Sequence, residues 1–274
     1  MSASERTKGL GAVQKTLLLP LWGRAMEIRK SRPLLVDRAA AEVIEKLDYD
    51  FSTIAANIHP ITRLAWIARA IHVDRSLREF LVQHPEAMIV NVGCGLDTTF
   101  ERIDNGRLRW VDLDLPDVIE LRSRLIPESP RRRSVAYSVL GGDWLCHVRA
   151  DVGLMLVAAG VLYYFEGPQV RQLLSRLAEA FPGSEMVFDA CSRRGTRIAN
   201  KKVIQDGGMD ASAVLKWGIE RPRELSRWDP RIEVIEAYPI FRGITARLPW
   251  KARLGTLLSD AMNIMSVIHL RFRA

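Results

Sequence analysis

The sequence predicts an α/β protein in which a doubly wound sheet of about seven strands, built of parallel βαβ units, follows a helical N-terminal stretch. Three observations predict it. The first 85 residues carry apolar positions at the helical period. From residue 87 the texture changes to short, continuous apolar runs, the first of which ends in Gly93-Cys94-Gly95. Beyond it, strand-length and helix-length segments alternate, the arrangement of βαβ units.

Each element follows in order. Ala40, Val43, Ile44 and Leu47 form one apolar stripe, and Leu64, Ile67, Ala68 and Ile71 form another within a helix over 61–81. Residues 87–92 make a first strand buried on both faces, 108–113 a second, 134–140 a third and 152–158 a fourth. A helix over 116–125 has Pro116 in its first turn, and another spans 169–181 after Gly167-Pro168. Residues 184–190, 231–237 and 264–272 complete the strands. The segment 192–230 is long for one crossover, and Val214, Leu215, Trp217 and Ile219 within it suggest an inserted helical element suited to substrate contacts. No repeat or Pro/Ser/Gly linker divides the chain. It therefore reads as a single domain over 1–274: a helical part over 1–85 and a sheet-bearing core over 86–274 with the insertion at about 192–230.

Composition is that of an ordinary globular protein, 48% hydrophobic and 26% charged, which argues against disorder. A formal charge of +8 permits anionic partners, but it is spread along the chain, so a nucleic-acid role rests on charge alone. Arg131-Arg132-Arg133 reads as an exposed turn after Pro130. Three widely spaced cysteines, Cys94, Cys146 and Cys191, speak against a disulfide framework and against a thiolate metal site. The longest near-apolar run, 152–165, is shorter than the ~20 residues that cross a bilayer. Residues 17–22 are too short for a secretory signal core. The expectation is a cytoplasmic protein with no membrane, nucleic-acid or metal partner, able to act as a homodimer.

The chemistry concentrates at Val90-Asn91-Val92-Gly93-Cys94-Gly95-Leu96-Asp97-Thr98. A strand running into Gly-x-Gly can bring backbone close to a nucleoside and present the next helix N-terminus to it. Asp112 and Asp114 stand 19 and 21 residues after Gly93, where a carboxylate can accept from ribose hydroxyls. A dinucleotide site would want a third small residue where Thr98 stands, and Asp97 would oppose a diphosphate. Against a sulfonium bearing an ammonium group the same carboxylate is favourable. This difference in ligand charge points to S-adenosylmethionine as the cofactor.

With these residues the chain resembles the leucine carboxyl methyltransferase family, in particular its bacterial branch of polyketide-biosynthesis O-methyltransferases. The resemblance spans about Lys15 to Trp228. It is carried by Lys15-Thr16, Arg24-Ala25, Pro33 to Asp37, Arg69 to Asp74, Val92 to Thr98, Val111 to Pro116, Gly142-Asp143, Gly160 to Tyr164 and Phe188-Asp189. It implies a class I methyltransferase fold, Rossmann-like, with the helical N-terminal part as a lid. By position it implies that Lys15 and Arg69 hold the methionine carboxylate and that Gly93 and Gly95 line the cofactor. Asp114 or Asp112 would then bind the ribose, and Asp143 with Trp144 would flank the adenine. The family's Glu before the fourth-strand glycine is Ala159 here, so Asp97 becomes the candidate partner for the amino group.

The resemblance implies an O-methyltransferase acting on a small acidic or aromatic acceptor. A carboxylate is ionised at neutral pH and needs no general base, whereas a phenol would gain from one. None of His59, His72, His84, His147 and His269 falls in a recognisable constellation, which favours the carboxylate. No catalytic residue can be assigned; Tyr164, Arg193 and Arg194 are candidates for positioning the acceptor, the arginines by offsetting its charge. Alternatively the two arginines are solvated loop charges and the tyrosine packs on the sheet. Trp22, Trp66, Trp217 and Trp228 either wall a hydrophobic acceptor site or anchor the lid and insertion. A relative of the same fold that binds cofactor without turnover would also be consistent with Ala159.

Overall fold

The computed structural model describes residues 11–274. The first ten residues of the expected helical part therefore lie outside the described residues. Five helices come first: α1 (Ala12–Lys15), α2 (Leu18–Glu27), α3 (Arg38–Lys46), α4 (Ser52–Asn57) and α5 (Pro60–Gln83). Helix α3 starts where the Asp37 side chain accepts from Ala40 N, a cap that satisfies one of the free N–H groups of the first turn. Helix α5 has Pro60 at its start, with His59 Nδ1 accepting from Ile61 N.

The sheet then forms from β1 (Met88–Val92), β2 (Arg109–Asp114), β3 (Arg132–Ala136), β4 (Leu154–Ala158), β5 (Glu185–Cys191), β6 (Ile232–Pro239) and β7 (Met265–Phe272). Its order is β3-β2-β1-β4-β5-β7-β6. The strands β1 to β5 are parallel to one another, joined through α6 (Thr99–Ile103), α7 (Pro116–Leu125) and α8 (Gly167–Ala180). The order reverses at β1 and β4, and the carboxyl ends of those strands open a crevice. Alternate residues of β1 supply opposite layers. Met88, Val90 and Val92 pack with α8 residues such as Leu173 and Leu177, while Ile89 packs with α5 and α6. Both faces being covered, the strand reads as continuously apolar.

Three expectations change. The last two strands are antiparallel to their neighbours, β7 against β5 and β6 against β7, because hydrophobic pattern carries no strand direction. The third strand is Arg132–Ala136 and not 134–140, since backbone pairing with β2 starts at Trp110↔Arg132. The segment 192–230 holds helix α9 (Arg193–Ala199), a π-helical turn over Asn200–Gln205 and a short 3-10 turn at Pro222–Arg227. Val214, Leu215, Trp217 and Ile219 are not helical. They run along the end of the sheet, with Lys216 N and Trp217 N donating to Tyr163 O and Ile219 N donating to Cys191 O.

Candidate active site

The turn after β1 is pinned to the end of β2. Gly93 N and Cys94 N both donate to Leu113 O, at 2.7 and 3.1 Å. Gly95 N donates to Asp114 Oδ2 and Leu115 N to Asp114 Oδ1, each at 2.8 Å. Gly93 and Gly95 have φ of +62° and +48°, the left-handed region that disfavours side chains. A Cβ at Gly93 would lie 2.5 Å from Val161 Cγ2, and one at Gly95 would lie 3.1 Å from Leu17 Cβ. The glycines are thus required by backbone conformation and by packing of the chain against itself.

Beneath the turn lies Arg122. It donates to Gly95 O at 3.0 Å, to Asp97 O at 2.8 Å and to Asp112 Oδ2 at 2.7 Å. Asp112 is fully buried and accepts also from Trp110 Nε1 and Asn91 Nδ2. Its carboxylate is committed to the support of the turn. A buried Arg–carboxylate pair whose remaining lone pairs are satisfied is the arrangement that survives desolvation.

Asp97 faces the crevice. It accepts from Thr99 N at 3.0 Å and lies 3.7 Å from Arg24 Nη2. Burial would raise its carboxyl, but Arg24, Arg102 and the Thr99 hydrogen bonds outweigh burial and hold it at about 2. A fixed anion results. Across the crevice Arg69 Nη1 donates to Asp189 Oδ2 and to Tyr163 Oη, both at 3.2 Å, and Gly160 N donates to Asp189 Oδ1 at 2.6 Å. Tyr164 Oη donates to Thr16 Oγ1 at 3.1 Å. Burial raises both tyrosine hydroxyls above their ordinary value, so neither is a base at neutral pH.

These groups line a cavity of about 690 Å³, within the size range of small-molecule sites. Leu115, Val118, Tyr137, Ser138 and Val139 close one end; Trp66, Phe241, Leu258, Met262 and Met265 belong to a broad apolar wall. No histidine lines it. His72 is the nearest by sequence to Arg69, but its Nε2 bonds to Ile240 O at 2.9 Å outside the lining. Among the described residues no cluster of His, Cys, Asp or Glu could hold a metal ion.

Of the residues singled out in the sequence, Arg69, Gly93, Gly95, Asp97, Asp114 and Tyr164 share this cavity. Others do not. Asp112 is the buried support just described. Lys15 ends α1 with its side chain exposed, outside the lining. Asp143 is exposed on the 3-10 turn Asp143–His147, and Trp144 is buried with Nε1 donating to Val139 O at 3.2 Å, so Tyr137, Ser138 and Val139 stand at the cavity in their place. Arg193 and Arg194 open α9 and point outward, because the helix that starts at Ser192 turns its first residues away from the sheet edge.

Sequence reasoning gave no role to a second group of residues that the fold joins. Asp37 is fully buried and accepts from Arg24 Nε at 2.9 Å, Arg102 Nη1 at 2.6 Å and Thr98 Oγ1 at 2.7 Å; Arg102 also donates to Asp74 at 2.9 Å. This network fastens α2, α3 and α5 to the helix that follows the glycine turn. Arg24, Asp37, Asp74 and Thr98 lie in the same short motifs that carry the family resemblance, which was the available signal; Arg102 lies outside them. Asp189 is a further one, invisible as a partner of Arg69 because 120 residues separate them.

Comparison with known proteins agrees with this arrangement. The family model for leucine carboxyl methyltransferase matches residues 18–178. The tetracenomycin polyketide synthesis O-methyltransferase TcmP of Streptomyces glaucescens is 34% identical over 84% of this chain and 83% of its own. The S-adenosyl-L-methionine-dependent methyltransferase dpfgK of Gibberella zeae is 28% identical, over 86% of each chain. Among solved structures, the N-methyltransferase NodS of Bradyrhizobium japonicum, in complex with S-adenosyl-L-homocysteine, superposes with a TM-score of 0.51 at 15% identity, covering 96% of this chain and 100% of that one. A DUF574 protein of Streptomyces avermitilis gives a TM-score of 0.57 at 12% identity, covering 92% of this chain and 97% of that one. These two likenesses show the fold, that of class I methyltransferases.

Proposed function

The chain belongs to the leucine carboxyl methyltransferase family, and from that premise we propose that it uses S-adenosylmethionine to convert a carboxylate of a small, largely apolar metabolite into its methyl ester. The relationship to an enzyme of polyketide synthesis supports a polyketide as that metabolite.

The residues of the crevice suit the cofactor. Its amino-acid end is a zwitterion and needs both an anion and a cation; Asp97 and, across the crevice, Arg69 offer them. Asp114, at the end of β2, keeps a carboxylate beside the turn for a ribose diol. With Asp97 and Asp114 both at the glycine turn, a diphosphate would meet repulsion there. S-adenosylmethionine, when bound, supplies an electrophilic methyl group on a cationic sulfur. The chain's own part is to orient the acceptor in line and to keep water out, and proximity of this kind is worth ~7–11 kcal/mol. The apolar wall serves both purposes. Ala159 removes a family carboxylate, and the low-lying Asp97 supports retention of the amino-group contact without it.

The observation that carries the carboxylate reading is the lack of any histidine in the cavity lining, together with Tyr163 and Tyr164, whose hydroxyls are shifted away from ionisation. Such a site can methylate a group that arrives already ionised. It offers no histidine to deprotonate a phenol of pKa near 10. The test is incubation with S-adenosylmethionine and a panel of aromatic carboxylates and phenols. Products cleaved by mild base are methyl esters and support the reading; a panel that yields only base-stable ethers overturns it.

A further inference from the structure

Beside the mouth of the cavity runs an open groove lined by Arg194, Arg197, Ile198, Lys201 and Lys202, and it shares Ile198 and Lys202 with the cavity itself. Its cations lie on one continuous helical run, α9 and the π-helical turn that follows. Positions 194, 197 and 201 are neighbours on that run, where like charges disfavour the helix. Both arginines of the cavity are paired with carboxylates, Arg24 with Asp37 and Arg69 with Asp189. Here, among the described residues, Arg194, Arg197 and Lys201 have no ion-pair partner, while Lys202 lies 2.9 Å from Asp206. Arg193 contributes only its backbone N–H to Glu220. A positive ridge therefore adjoins a largely apolar cavity whose two arginines are each paired with a carboxylate.

We propose that this groove is a distal anion subsite for the methyl acceptor. The acceptor is then a molecule with an apolar ring system that fills the cavity and a second negatively charged group, a carboxylate or an ionised phenol, that rests on Arg194, Arg197, Lys201 and Lys202. The inference rests on the proposed acidic acceptor and narrows it to one with two acidic groups. The π-helical turn supports it: such turns widen a helix locally and recur at functional sites. This one places Lys202 and Val203 on the cavity, while Ile204 is buried beside Tyr163, Cys191 and Leu215 of its wall. Exposed cations bind weakly one by one but together attract an anion, an effect that salt screens.

Two dyes with the same ring system separate charge from apolar fit: anionic 8-anilinonaphthalene-1-sulfonate and neutral N-phenyl-1-naphthylamine. For the unaltered chain the anionic dye should bind several-fold more weakly at about 300 mM than at about 20 mM KCl, and the neutral dye equally at both. The variant R194Q/R197Q/K201Q should weaken the anionic dye about five- to tenfold at low salt, lose the salt dependence, and keep neutral-dye affinity within about twofold. Lys202→Met alone should give a smaller loss of the same kind. Equal anionic-dye affinity in variant and parent overturns the proposal, as does an equal loss for both dyes, which would assign the loss to the cavity or to the fold. Methyl-ester formation is a separate readout. Ester without the dye difference removes the subsite and keeps the reaction; the dye difference with ether products alone does the reverse.

Discussion

At Asp97 a carboxylate is buried and yet stays charged, because Arg24 and Arg102 outweigh the cost of removing it from water. Replacing it with Asn keeps the Thr99 contact and deletes the charge. The expected result is a loss of S-adenosylhomocysteine affinity of about ten- to a hundredfold, the worth of one charge-assisted contact, measured by isothermal titration calorimetry. With the carboxyl held near 2 in the folded chain, the sign is clear: its contribution is complete above the unfolded value near 4 and is lost only as pH falls through about 2. Affinity should therefore show no acid limb from this group between pH 5 and 8. His72 behaves in the opposite sense. Burial, with Arg75 and Arg242 nearby, lowers it to about 4 despite its bond to Ile240 O, and the Tyr238 ring packs against it. The unfolded chain then takes up a proton below about pH 6.5 that the folded chain refuses down to about pH 4. Stability should fall over that window by on the order of 2–3 kcal/mol and level off below it. Urea midpoints at pH 7 and pH 5 measure this, and His72→Gln should flatten the difference.

Between elements, the Arg24–Asp37–Arg102–Asp74 network is the joint that holds the N-terminal helices over the glycine turn. Asp37→Ala leaves two buried guanidinium groups facing an empty position, so a loss of about 3–5 kcal/mol in urea unfolding is expected. Because Arg24 also faces Asp97, the same variant should weaken S-adenosylhomocysteine binding even where it remains folded. Little of this joint was legible in the sequence. Asp37, Asp74 and Arg102 are distant in the chain and polar, and a linear pattern reads them as surface. The glycine turn was legible because a buried strand and two glycines are local features. Asp112 and Asp114 could not be told apart by face, since both point to the same side of β2; depth decides, Asp112 lying under Arg122 and Asp114 reaching the strand end. The outward turn of Arg193 and Arg194 was hidden for a similar reason: a helix begins at that point, and 214–219, the stretch with helical promise, instead pairs its backbone with Tyr163 and Cys191.

Across the whole molecule, the sheet order puts the carboxyl ends of β1, β2, β4 and β5 around one crevice, and the N-terminal helices and the segments after β5 and β6 roof it. Class and cofactor follow from the parallel half, which is why they could be read early; the end proposed for the acceptor is built by the antiparallel half and the insertion, where sequence pattern is weakest. That division sets the final prediction. The end proposed for the acceptor contributes aliphatic, aromatic and cationic side chains and no histidine, and the Tyr163 and Tyr164 hydroxyls lie above their ordinary value near 10. A carboxylate acceptor, with a pKa near 4, is fully ionised above about pH 6. With the acceptor ionised throughout and no histidine in the lining, kcat should be level between about pH 6 and 9. A phenolic acceptor would rely on its own ionisation, and kcat would climb close to tenfold per pH unit toward about 10. Single-turnover rates at saturating donor and acceptor separate the two. A level profile agrees with ester formation, and a rising one would mean that the acceptor's oxygen must first lose a proton the cavity has no group to remove.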